Sequence, residues 1–393
     1  VTVERVLILC NAMSDAVRRQ RGITTDSPAA TRKIVMMAQV LAQGGMRPTL
    51  LSLGRGRADG SAAGFAACTG RIGGIPIAYG RFTRRRLVSE WRSLIAPFPI
   101  LWSRRRHARH TTLLLYNRMD SHVPALWFAR LLGYRTMLDL EDGQVPSADR
   151  TISLRVRLLI AATDRGCRNG ALLACKALAG ATRLRPVLPY YGVVDISGAP
   201  RDLAQPVIHA LIGGTVARDT GADMLAAALV QLHEADPELA RQLHVHVSGA
   251  GDMVDTFRAM AARMPGITVH GRLDDADYRA LLDRCSIGLA LKPNAGGLAD
   301  TTFPSKVTEL AGAGMLVLTT DISDVRDVLG EGAVYLVRDD PALLAECIAG
   351  ILRDRRGAAA VARLGQANVA HRCARLPAAR RLASFVSGNG VCD

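Results

Sequence analysis

Short apolar runs alternate with helix-patterned stretches along the whole chain, and the alternation begins twice. In the first half RVLILC (5–10), PTLLSL (48–53), TLLLYN (112–117) and RTMLDL (135–140) are each bounded by turn residues, with helical patterns around ATRKIVMMAQVLAQGG and PALWFARLLGY. In the second half VIHALIGG (207–214), LHVHVSGAG (243–251), ITVHGRL, SIGLALK, MLVLTTD and AVYLV repeat the arrangement, and from Pro341 onward the chain is mainly helical. Apolar runs this short read as strands buried on both faces, which leaves them no polar side to show. Strands that alternate with helices pair in parallel, because parallel neighbours need a crossover and the helix supplies it. The pattern predicts an α/β chain of two doubly wound, Rossmann-like domains.

Near 186 the periodicity lapses into PVLPYYGVVDISGAPRDLAQP, with four prolines, which marks a domain boundary. The expected division is 1–190, 191–375, and a C-terminal helix or tail over 376–393 that returns toward the first domain. A length of 393 residues suits two cores better than one. In open α/β sheets ligands bind outside the carboxyl ends of the strands, so both domains are expected to offer loops to a cleft between them. Mean hydropathy is only +0.14, and no apolar run approaches the ~20 residues a membrane span needs. The start, VTVERVLILC, reads as a buried strand and not as a signal peptide. Eight cysteines without CxxC or Cys/His metal spacing read as reduced, buried thiols, so the expected compartment is the cytosol.

The net charge of +15 is concentrated. Residues 81–110, RFTRRRLVSEWRSLIAPFPILWSRRRHARH, hold nine arginines and one glutamate, with Trp91 and Trp102 around an apolar centre. Two basic clusters flanking an aromatic middle suit an anionic membrane surface, where apolar burial and lipid attraction add. The same stretch also reads as a solvated, partly buried helix. No basic-aromatic strand motif or helix-turn-helix pattern points to nucleic acid. Only four of the fifty basic residues are lysines, Lys33, Lys176, Lys292 and Lys306, and the last two are close in sequence. Lysine is a compact point charge suited to phosphate.

The segment SKVTELAGAGMLVLTTD (305–321) opens an apolar helix with Lys306 and Glu309. A lysine at a helix N-terminus faces the positive end of the helix dipole, so either it points into solvent or an anion belongs beside it. SGAGD (248–252) is a G-x-G turn after a strand; it reads equally as a backbone approach to a nucleotide at Gly249 and as a plain tight turn. DLEDG (139–143) ends a strand where cleft residues sit, and Glu141 and Asp142 could bind an acceptor hydroxyl, act as its base, or merely cap a loop. The nine histidines show no metal spacing.

Taken together, VIHALIGG, LHVHVSGAG, ITVHGRLDDADYRALLDRCSIGLALKP, FPSKVTELAGAGMLVLTTD and VRDVLGEGAVYLV resemble the donor-binding domain of GT-B glycosyltransferases, nearest in pattern to the retaining enzymes of glycosyltransferase family 4. The first half is similar only in its strand–helix order and in the hinge-like PYYGVVD. The resemblance implies that Glu309 accepts hydrogen bonds from the ribose hydroxyls of a nucleotide, a role two carboxylate oxygens suit. Lys306 would meet the diphosphate, with Ser305 and the backbone of the loop before it. The chain departs from the family in two places. Thr301 stands where an earlier glutamate is usual, leaving Asp300, or the amides of Thr301 and Thr302, to serve the donor sugar. Gly214 and Thr220 stand near the usual arginine and lysine, leaving Arg218, Arg272 and Lys292 to help Lys306 neutralise phosphate.

What the resemblance implies is sugar transfer with retention, from a nucleotide-diphosphate sugar to an acceptor held by the first domain. The charge and tryptophans of 81–110 point to a lipid-linked acceptor, such as a lipid-linked oligosaccharide in surface-polysaccharide assembly, with a soluble saccharide the alternative. The expectation includes no resident cofactor or metal, because cations and helix dipoles serve the leaving diphosphate. A nucleotide-sugar epimerase and a non-catalytic partner subunit are the competing readings.

Overall fold

In the computed structural model the described residues are 4–57, 64–83, 85–141, 152–294, 299 and 301–388. The sequence candidates Asp142 and Asp300 lie outside them. The chain forms two compact units, Val1–Val193 with Arg375–Asp393, and Val194–Ala374.

The first unit is built on an eight-stranded sheet. Its strands are β1 (Arg5–Cys10), β2 (Arg47–Ser52), β3 (Cys68–Ile72), β4 (Ile75–Tyr79), β5 (Thr111–Tyr116), β6 (Arg135–Leu140), β7 (Ala171–Leu173) and β8 (Val187–Pro189), in the spatial order β8-β7-β6-β5-β1-β2-β4-β3. All neighbours run parallel except β3, which pairs antiparallel with β4 at the edge. That hairpin was not among the expected strands, although Gly73–Gly74, both with positive φ, carry the two-residue turn that joins such strands. Val6 to Cys10 are fully buried because this central strand has covered faces on both sides.

The helix Pro28–Gln43 starts at Ser27, whose hydroxyl accepts from the Ala30 amide, and carries proline in its first turn. Its buried face, including Ile34, Met37, Ala38 and Leu41, shares one core with Ala378, Leu382, Phe385 and Val386 of the final helix, Arg375–Ser387. Residues 86–110 hold two helices, Arg86–Ile95 and Phe98–Ser103, and a 3-10 stretch, Arg105–His110, in place of one helix. The break falls at Ala96–Pro97, since proline has no N–H to continue the ladder.

The second unit carries six parallel strands, β9 (Ile208–Thr215), β10 (Leu243–Ala250), β11 (Ile267–Gly271), β12 (Ile287–Ala290), β13 (Leu316–Thr320) and β14 (Val334–Leu336). Their spatial order is β11-β10-β9-β12-β13-β14. The order grows one way from β9 and then the other way from β12, so the topological switch lies between these two strands.

Among the described residues the cysteines are all free, and Cys10, Cys167, Cys175, Cys285 and Cys373 are buried. Cys68 is exposed on the edge strand β3, against the expectation of buried thiols. No helix among the described residues is long and apolar enough to cross a membrane.

Candidate functional site

Three chain segments converge at the switch between β9 and β12. The first is the end of β9, where Gly213 and Gly214 carry no side chains and Gly214 has φ +103°. The second is the helix Lys306–Gly312, which follows β12. The third is Tyr278, on the helix Asp275–Arg284 that precedes β12. Lys306 Nζ lies 2.7 Å from Glu309 Oε2 and 2.9 Å from the Tyr278 hydroxyl, and 4.9 Å from the centre of the Tyr278 ring. Burial works to lower the Lys306 pKa, but the Glu309 carboxylate and the Tyr278 phenol outweigh it and hold the ammonium above its ordinary value.

The glycines of β9 make this approach possible. A Cβ on Gly213 would stand 3.1 Å from the Tyr278 hydroxyl, and one on Gly214 would stand 3.6 Å from Lys306 Cε. Gly249 faces Gly214 across the parallel β9–β10 pair, at φ +136°. A Cβ there would fall 1.8 Å from the Gly214 carbonyl oxygen, so only glycine fits. The result is a patch of open backbone next to one lysine and one carboxylate, which suits an anion carrying hydroxyl groups.

In the first unit, Asp139 and Glu141 project from the carboxyl end of β6. Lys33 Nζ donates to Glu141 Oε2 at 2.5 Å and sits 5.5 Å from the Tyr190 ring centre. Asp139 is fully buried, and both its oxygens, with Glu141 Oε1, are buried without a hydrogen-bond donor among the described residues. Burial first, then the negative charge of Glu141, pushes the Asp139 pKa well up, with Lys33 opposing. A proton on Asp139, the form this shift favours, would be the donor that Glu141 Oε1 otherwise lacks. The sequence reading named Glu141 and Asp142 but not Asp139, Lys33 or Tyr190.

Four histidines that sequence spacing leaves unrelated come together on β9, β10 and β11. His209 Nδ1 and His246 Nε2 are 2.9 Å apart, as are His246 Nδ1 and His270 Nε2, and His244 Nε2 pairs with Thr268 Oγ1 at 2.8 Å. Parallel register aligns them: His209 pairs with His244, and His246 with Thr268. Burial and the neighbouring histidines and Arg284 push His246 down to about 3. Direct N···N hydrogen bonds leave no room for an ion between the rings. No group of three or more His, Cys, Asp or Glu among the described residues is placed to hold a metal.

Residues 208–354, which span all six strands and the Lys306–Glu309 pair, match the family model for Glycosyl transferases group 1. This stretch resembles the domain of group 1 glycosyltransferases. A search of curated proteins by sequence finds no match. Solved structures show that the fold extends over the whole chain. Anabaena Alr3699/HepE in complex with UDP is 14% identical with a TM-score of 0.67, covering 98% of this chain and 99% of that one. The same protein in complex with UDP-glucose, at 14% identity and a TM-score of 0.64, gives the same coverage. A glycosyltransferase from Rickettsia africae is 12% identical with a TM-score of 0.67, covering 99% of this chain and all of its own. The fold is the GT-B fold.

Within residues 208–354 the remaining candidates fall into two sets. Lys292, just after β12, donates from Nζ to Thr302 Oγ1, and its carbonyl accepts from Thr320 Oγ1 at 2.5 Å. Thr301 beside Thr302 is buried, and Ser305 is exposed, its carbonyl accepting from Thr308 Oγ1. Lys292, Thr301, Thr302 and Ser305 therefore belong to the loop leading into the Lys306 helix. Arg218 and Arg272 are exposed and take no part in the hydrogen bonds around Lys306. Thr220 closes the turn after β9, donating to the Thr215 carbonyl at 2.8 Å and accepting from the Ala217 amide. Tyr278 and Gly213 are the residues around Lys306 that sequence reasoning missed. A tyrosine in DYRALLDR reads as ordinary helix packing, and only the fold carries it to β9.

Proposed function

We propose that the chain transfers a sugar, with retention, from a nucleotide-diphosphate sugar bound by the second unit to an acceptor bound by the first unit. The observation that carries this reading is the Lys306–Glu309–Tyr278 cluster against the glycine end of β9, at the topological switch of the sheet. Glu309 takes the ribose hydroxyls. Lys306 has three N–H donors; Glu309 and Tyr278 occupy two, and the third serves the diphosphate. Lys292 adds a second cation at the loop. Charge that develops on the departing diphosphate is then met by lysine and backbone N–H groups, and the reaction needs no resident cofactor or metal.

Alr3699/HepE is solved with UDP and with UDP-glucose, which makes uridine nucleotides the first donors to try. Glu141 at the end of β6 and Lys33 of the helix Pro28–Gln43, an ion pair backed by the buried Asp139, bind the acceptor saccharide. A lipid-linked oligosaccharide of cell-surface polysaccharide assembly, met at the inner face of the cell membrane, is the acceptor class that the basic, tryptophan-bearing segment 81–110 favours.

The test is calorimetric titration of the protein with UDP, GDP, ADP and their sugar conjugates, beside Glu309→Ala. One nucleotide binding to the parent and not to the variant supports the reading. Absence of binding by every nucleotide sinks it.

A further inference from the structure

The helix Arg86–Ile95 turns its large apolar side chains outward. The residues it buries are Ser89 and Ser93, with Ser93 Oγ donating to the Ser89 carbonyl at 2.8 Å. Leu87, Val88, Trp91 and Ile95, spaced to share one face, are exposed by 80%, 38%, 65% and 43%. Beside that face a cavity of about 1030 Å³ opens at the carboxyl ends of β1, β2 and β4. Leu9, Leu51, Leu53 and Ala78 contribute apolar lining from the sheet, and Leu87 and Trp91 from the helix.

Arg81 and Arg92 also line the cavity, and Arg85, Arg86, Arg104, Arg105 and Arg106 stand in the same segment. Arg105 lies 4.2 Å over the ring of Trp102, itself 52% exposed. Glu90, the one carboxylate of residues 81–110, is 3.1 Å from Arg86 and so already paired. Apolar walls with an arginine mouth match an amphiphile whose head is anionic and whose tail is hydrocarbon. A free sugar would instead require convergent polar groups in the walls.

We infer that this cavity takes one hydrocarbon chain of an anionic membrane phospholipid, with the headgroup phosphate on Arg81, Arg92 and their neighbours. The docked lipid covers the outward face of the helix Arg86–Ile95 and holds the first unit on the membrane surface. The inference stands independently of the nucleotide site.

The whole chain is sedimented at physiological salt with phosphatidylcholine vesicles, with and without phosphatidylglycerol. Binding is expected only with phosphatidylglycerol. In a Trp102→Phe, Trp127→Phe background, bromine on the phospholipid chains is expected to quench Trp91. Leu87→Asp with Ile95→Asp is expected to lower vesicle binding by about tenfold or more, with the thermal midpoint and the UDP titration unchanged. The UDP titration reads the nucleotide site separately, so either proposal can fail alone. No binding to anionic vesicles overturns the inference. So does binding without quenching, which places only headgroups on the protein. An isoprenyl phosphate that binds and is not displaced by phosphatidylglycerol overturns the assigned occupant.

Discussion

Lys306 Nζ and Glu309 Oε2 stand 2.7 Å apart across one turn of a helix, beside strand-end glycines that leave the backbone bare. Both side chains are about one-third exposed, at 36% and 37%, so the ion pair itself contributes no more than about 1 kcal/mol to folding. Such a pair is worth more to a ligand than to the fold. Glu309→Ala is expected to weaken nucleotide binding by at least about tenfold, or 1.4 kcal/mol, while shifting the urea midpoint little. Calorimetry beside urea unfolding checks this. Equal losses in both would make the pair structural.

Lys306→Gln separates the two halves of the ligand. With the ammonium gone, affinity for UDP should fall about tenfold or more, while affinity for uridine stays nearly constant, since ribose contacts fall to Glu309. Titrating both ligands into both proteins reads the difference. A uniform loss for uridine and UDP would remove Lys306 from the phosphate role.

How much of this was legible depended on whether chemistry lay along the chain or across it. The strands Arg5–Cys10 and Arg135–Leu140 appear in the sequence at their observed bounds, because a buried parallel strand is a local apolar run. Lys306 and Glu309 were legible as neighbours because three residues make one helical turn. Tyr278, 28 residues before Lys306, meets it only through the packing of the helices on either side of β12. The same holds for Lys33 and Glu141, 108 residues apart, and for four histidines that strand register brings together. The exposed Trp91 face could be anticipated from charge and tryptophans, but the cavity beside it depends on β1, β2 and β4, which no local pattern relates.

Gly249→Ala tests the close pairing of β9 and β10. The new Cβ would meet the Gly214 carbonyl at 1.8 Å in a backbone conformation that side chains rarely adopt. The cost should be about 2–4 kcal/mol, measurable as a lower urea midpoint at unchanged slope. Gly45→Ala is the control: its φ of +85° is equally unusual, but nothing lies within 4 Å. It should cost about 1 kcal/mol. Equal costs would mean that the β9–β10 backbone yields.

The histidine ladder predicts loss of stability in acid. His246 is buried in the fold and held down to about 3 by burial, then by His244, His209, His270 and Arg284. The unfolded chain takes up this proton near the ordinary 6.5 and the folded chain does not. Stability is therefore complete above pH 6.5 and falls as pH drops toward 3, by at most about 1.4 kcal/mol per pH unit for this residue. His246→Phe should flatten that limb in pH-dependent urea melts. An unchanged slope would place the acid sensitivity elsewhere.

Asp139 predicts the opposite limb. Its carboxyl, buried and beside Glu141, has a folded pKa raised well above the ordinary 3.8. Between those two values the folded chain holds a proton that the unfolded chain has lost, so this contribution is full below 3.8 and is lost as pH rises through the folded value. Asp139→Asn keeps a donor facing Glu141 and carries no titrating proton. It should match the parent to within about 1 kcal/mol below pH 3.8 and, lacking the decline, become the more stable of the two as pH rises. Asp139→Ala leaves Glu141 without that donor and should cost about 1–3 kcal/mol. Lys33→Met, which takes the cation from a Glu141 side chain only 14% exposed, should cost a similar amount. If Asn proved as costly as Ala, Asp139 would have to be ionised in the fold, and Glu141 would have to gain its donor from another group.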